Sequence, residues 1–175
     1  MNLSKEENGD NILSIDSLIE SLRSKDGLIR QKARISLVKI GEPALDALIN
    51  AFQTKEEPLH WETAKALSQI GTEKAAQPLV DALEDKEFSI RWIAAEGLIH
   101  IGAGAVKPLL SALLEHPDSI WLREGAHHVI HDLIERKLGD KATVEVLSTV
   151  NEAINHVNPE VEVVSSVKKA LDLIK

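Results

Sequence analysis

Residues able to do chemistry crowd into one stretch of this 175-residue chain, WLREGAHHVIHDL at 121–133. It holds Glu124, His127, His128 and His131. Imidazole and carboxylate together are the ligand types of zinc and non-haem iron sites. Glu124-x-x-His127 and His127-x-x-x-His131 are spacings that bring side chains together on a helix. Glu-x-x-His is also the motif that di-iron bundles complete with carboxylates from other helices. In the register set out below, Glu96 stands beside His128 as a further carboxylate. One reading is therefore a metal-dependent hydroxylase or hydrolase centred on Glu96, Glu124, His127, His128 and His131. The other is a polar coat on an exposed helix face, pH-sensitive because imidazole titrates near neutrality, with His127 and His131 also able to meet the closing helices. One helix seldom completes a metal site, and no second ligand-rich helix is evident. That favours the polar coat, with no cofactor.

Other catalytic patterns are missing. The chain has no cysteine, which excludes disulfides, thiolate metal sites and thiol nucleophiles. No Gly-rich phosphate loop or nucleophile elbow occurs, and Gly102-Ala-Gly104 falls between helices rather than after a strand.

The elements that position these residues repeat along the chain. RQKARISLVKIG (30–41), HWETAKALSQIG (60–71) and RWIAAEGLIHIG (91–102) share one frame, and REGAHHVIHDLI (123–134) fits it without the final Gly. Leu37, Leu67, Leu98 and Ile130 occupy one frame position at intervals of about 30–32 residues, a repeat-protein period. A second motif precedes each unit: SLIESL (17–22), PALDAL (43–48), PLVDAL (78–83) and PLLSAL (108–113). Proline at its first position predicts helix position N1. Gly41, Gly71 and Gly102 predict the ends of the other helix. Each unit is then two helices joined by a short turn near 26–27, 85–86 and 117–118. Val144, Leu147, Val150 and Ile154 line a further helix, and after a break at Asn158-Pro159, Val164, Val167, Leu171 and Ile174 line a last one.

Composition agrees. Apolar residues are 43% and aromatics 3%, which suits close helix packing. The net charge of −8 opposes generic binding to phosphate backbones or anionic membranes. No apolar run approaches the roughly 18 residues of a membrane span. The polar start at 1–11 reads as a loose tail, and the absence of cysteine suits a cytoplasmic setting.

These motifs resemble the HEAT repeat, in the short form also known from phycobilin lyases. The resemblance rests on Arg30, Arg91 and Arg123, on the pair Ala94-Ala95, and on the Leu-x-x-Ile-Gly endings at 37–41, 67–71 and 98–102, and it covers roughly residues 15–137. Unit two departs with His60 in the Arg position, and unit four with His127 at the second Ala and no closing Gly. The resemblance implies an all-α fold, a right-handed α-solenoid of about four to five helical hairpins. The expected repeats are 12–41, 42–71, 72–102 and 103–137, with a divergent closing pair at 140–175, all in one domain from residue 12. It also implies that the second helix of each unit lines a concave groove.

A helix turns about 100° per residue. Leu122, Ala126, Val129, Ile130 and Leu133 then share the packing face, and His127, His128 and His131 lie within about 60° of Glu124 on the opposite side. By alignment the groove presents Ile35, Val38, Trp61, Lys65, Trp92, Glu96, Ile99, Glu124, His128 and His131. Trp61 and Trp92 either anchor a partner there or, with the phase shifted by one residue, pack between repeats. The recurring arginines follow Asp26, Glu87 and Asp118 by four or five positions, which predicts braced turns rather than phosphate sites. HEAT-like deoxyhypusine hydroxylases bind iron through adjacent His-Glu pairs, and this chain has none. HEAT-like DNA glycosylases use a basic groove, which an acidic chain does not offer. The expected function is a non-enzymatic scaffold that binds a helix or extended segment of another protein. The metal enzyme and a lyase-like tetrapyrrole handler remain the alternatives, with neither nucleic acid nor membrane as partner.

Overall fold

In the computed structural model the described residues are 14–137, 141–155 and 159–173. The expected tail at 1–11, the domain start at residue 12, Asn158 and Ile174 lie outside them. The described residues are all-helical, with no strand among them: α1 (Ile15–Ser21), α2 (Gly27–Ile40), α3 (Leu45–Gln53), α4 (Leu59–Ile70), α5 (Ala76–Asp81), α6 (Phe88–Ile101), α7 (Val106–Glu115), α8 (Ile120–Glu135), α9 (Lys141–Ile154) and α10 (Pro159–Leu173). Short 3₁₀ turns at Glu42–Ala44, Glu73–Ala75 and Gly102–Ala105 lead into α3, α5 and α7, and another at Ala82–Glu84 follows α5.

Local chemistry sets the boundaries. Ser14, Asp26 and Ser119 cap α1, α2 and α8, each side chain accepting a backbone N–H of the first turn. Gly41, Gly71 and Gly102 end α2, α4 and α6 with φ of 73°, 63° and 72°, a region that favours glycine. The prolines depart from the N1 expectation. Pro43 lies in the 3₁₀ turn before α3, while Pro78 and Pro108 are the third residues of α5 and α7. The whole first turn tolerates proline, because its N–H groups have no intrahelical acceptor.

The helices form two layers. In one, α2, α4, α6 and α8 pack successively, each against the next. In the other, α1 meets α3 and α5 meets α7. Leu37, Leu67, Leu98 and Ile130 are all fully buried where the layers meet. Burying such a side chain contributes roughly 1.5–3 kcal/mol. The last pair breaks the order. Here α9 packs on α8 and α10 on α7, so the chain enters the second-helix layer first. The buried face of α10 is Val163, Val167 and Ala170, with Val164 and Leu171 half-buried at its border, one step away from the expected face.

One expectation about apolar length is corrected. Phe88–Glu115 is long and apolar enough by composition to cross a membrane. Here it is split by the positive-φ Gly102, and half of its most apolar window is buried in the fold.

The recurring arginines brace turns by a route that spacing did not show. Arg30 Nη1 donates to the Ser24 carbonyl at 2.8 Å, Arg91 Nη1 to the Asp85 carbonyl at 2.8 Å, and Arg123 Nη1 to the Pro117 carbonyl at 2.6 Å. In all three the shortest of these bonds goes to the carbonyl six residues back, not to the acidic side chain four or five back. Arg30 also shares the buried Glu62 with Arg34, at 3.1 and 2.9 Å, which ties α2 to α4.

Candidate functional site

Two neighbouring helices, α6 and α8, open a cleft near their N-terminal ends. Phe88, Arg91, Trp92 and Ala95 of α6 face Trp121, Glu124, Gly125 and His128 of α8 across about 170 Å³. Each set follows i, i+3, i+4, i+7, the spacing of one helix face. Phe88, Trp92 and Trp121 are 69%, 50% and 45% exposed. The Arg91 guanidinium lies over Trp121, 4.6 Å from the ring centre, and over Phe88 at 5.6 Å. His128 stacks on Trp92 at 5.1 Å and reaches Glu96 with Nε2 at 3.2 Å. Gly125 permits the approach of α8 to the turn before α6, since a Cβ there would stand 2.7 Å from Leu83 Cδ2.

Of the expected groove residues, the structure brings together Trp92, Glu96, Glu124 and His128. His131 is exposed on the same helix, its ring 6.0 Å from that of His127. Ile35, Val38, Trp61 and Lys65 lie on α2 and α4 and do not line the cleft. The tryptophans divide between the two readings. Trp92 is exposed in the cleft, while Trp61 is half-buried against the core with Arg34 5.9 Å above its ring. Ile99 is a correction: it is only 6% exposed, because α6 is flanked by α4 on one side and α8 on the other.

The five residues of the metal reading do not converge. His127 turns toward α9, with Nδ1 2.8 Å from Asn151 Oδ1 and 3.1 Å from Asn155 Nδ2, one contact for each tautomer. His128 takes Glu96. Among the described residues no three His, Asp or Glu side chains are grouped to hold a metal ion.

Sequence reading missed Phe88, Arg91 and Trp121 as cleft residues. Their signal was the shared i, i+3, i+4, i+7 pattern at 88–95 and 121–128, offset by 33 residues, whereas alignment on the arginines imposes 32.

A second polar cluster fills the place of the missing arginine in unit two. His60 Nδ1 is 2.9 Å from the Phe52 carbonyl, and Nε2 is 3.0 Å from Asp85 Oδ2. Phe52 stacks on the imidazole at 4.5 Å, and both His60 and Asp85 are buried. Burial pushes the Asp85 carboxyl up, but the Glu87 N–H, His60 and Lys55 outweigh it and hold the group below its ordinary 3.8. His60 thus contacts a carbonyl in the last turn of α3 and adds a link to the next hairpin.

Capped helix pairs, a repeated frame of buried leucines and a ladder of turn-bracing side chains define a helical-repeat protein. Residues 15–99 match the family model described as HEAT repeats. HEAT repeats generally serve as protein-interaction scaffolds. A search of the curated proteins found no match. Among solved structures, an engineered protein is similar at 19% identity and a TM-score of 0.44, over 91% of this chain and 47% of that one. The chain therefore spans about half the length of that structure.

Proposed function

We propose that the protein is a non-enzymatic interaction module that holds a helix or extended segment of another protein against the cleft between α6 and α8. One observation carries this reading: Phe88, Trp92 and Trp121, three of the chain's five aromatic residues, are exposed around a single cleft. Contiguous exposed aromatic surface marks partner sites, and such residues dominate binding energy. The wider proposal is a right-handed solenoid of four to five hairpins. Its concave groove runs from the cleft past Lys65 and Trp61 toward Val38 and Ile35. The proposed setting is cytoplasmic. The net charge of −8 supports a partner that is neither nucleic acid nor an anionic membrane.

The test is affinity capture on the immobilised full chain, followed by titration of the captured partner. Trp92→Ala and Trp121→Ala should each weaken binding more than about fivefold, or roughly 1 kcal/mol. Their circular dichroism should stay unchanged, since both rings are half-exposed. Unchanged affinity in folded variants would remove the cleft from the interface.

A further inference from the structure

Around the cleft stand one fixed cation, Arg91, and two carboxylates, Glu96 and Glu124. Arg91 Nη1 is anchored by the carbonyls of Asp85 and Lys86 at 2.8 and 3.2 Å, and its guanidinium covers Trp121 and Phe88. Glu96 has His128. Glu124 lines the same cleft and makes no hydrogen bond or ion pair among the described residues. It shares the cleft wall with Trp92, Trp121, Ala95, Gly125, Arg91 and His128.

The occupant follows from that imbalance. At about 170 Å³ the cleft is smaller than the roughly 300–1,000 Å³ of small-molecule sites, and suits a single side chain. A purely apolar side chain would strip water from Glu124 and leave the carboxylate unpaired. An acidic one would add a like charge. A long basic side chain suits a cleft with two carboxylates and one guanidinium: methylenes lie along the rings, and a cationic head reaches Glu124. The chain's net charge of −8 draws basic segments from a distance. Resting on the partner-binding reading above, we propose that the cleft takes a lysine or arginine side chain from a basic segment of a partner protein, its stem between Trp92 and Trp121 and its head at Glu124.

The probe is a short peptide of Ala-Leu-Lys repeats, set against the same peptide with glutamine at every lysine. Both are titrated into the full ¹⁵N-labelled chain while the indole N–H signals are followed. The lysine peptide should shift the Trp92 and Trp121 signals and bind at least about fivefold more tightly than the glutamine peptide. Glu124→Gln should abolish that preference, and Glu42→Gln, which removes an exposed carboxylate on a distant turn, should keep it. Equal affinity for the two peptides would overturn the cationic occupant while leaving an aromatic docking cleft, provided Trp92→Ala weakens both. A preference that survives in Glu124→Gln would assign the attraction to the whole surface and overturn the proposal. Failure of the lysine peptide to bind would also overturn it, and capture of the natural partner would still judge the wider reading separately.

Discussion

Asp85 is a buried carboxylate whose charge is held by the Glu87 N–H, by His60 and by Lys55. Its folded-state affinity for protons is depressed, so its stabilising contribution is complete above the ordinary carboxylate range. That contribution is lost as pH falls through the lowered value. Asp85→Asn should therefore cost about 1–3 kcal/mol at pH 7, a charged hydrogen bond replaced by a neutral one. The gap to the native chain should begin to narrow near the ordinary 3.8 and close below the lowered value, where the native carboxyl also takes up its proton. Urea melts at several pH values read this directly, and a gap constant with pH would refute it. The sequence identified His60 as a departure from the arginine pattern. It did not identify Asp85 as the partner, because the contact joins residues 25 apart across two hairpins.

Elements touch where side chains are smallest. Gly97 of α6 lies against α4 and α5: a Cβ there would stand 2.8 Å from Leu79 Cδ1 and about 3 Å from the Ser68 Cβ and Cα. Ser68 Cα is backbone and does not swing aside. Gly97→Ala should therefore destabilise by about 1–3 kcal/mol through overpacking, less the roughly 1 kcal/mol alanine gains in helix propensity. A thermal melt showing net stabilisation would mean that α6 shifts freely. At this scale the sequence was most legible. The leucine frame, the capping residues and the closing glycines are local signals, and the helices follow them. The face of α10 was misread because Val163, Val164 and Val167 are all apolar, so one step of phase leaves the pattern almost unchanged. The cleft was half-legible. Trp92, Glu96, Glu124 and His128 came from alignment within the repeat, whereas Phe88 and Trp121 stand at helix starts, where the frame carries no marker.

Across the whole molecule the core is one continuous body from Leu18 to Ala170. The closing helices contribute Leu147, Val150, Ile154, Val163 and Val167 to it, set against α7 and α8. Ending the chain after Lys137 should uncover the α7 and α8 faces that these residues pack against, lower the melting temperature and produce concentration-dependent association, visible in sedimentation velocity. A monomer of unchanged stability would show that α9 and α10 are dispensable. The exchange of layers in that pair also bears on how such a chain is lengthened. Since α10 lies beside α7, in the first-helix layer, a standard hairpin fused to its end would follow a first helix where it needs to follow a second. Gene duplication, or a designer, would gain length by inserting units ahead of α9, and the flipped pair would travel with the growing end like the hem of a cloth.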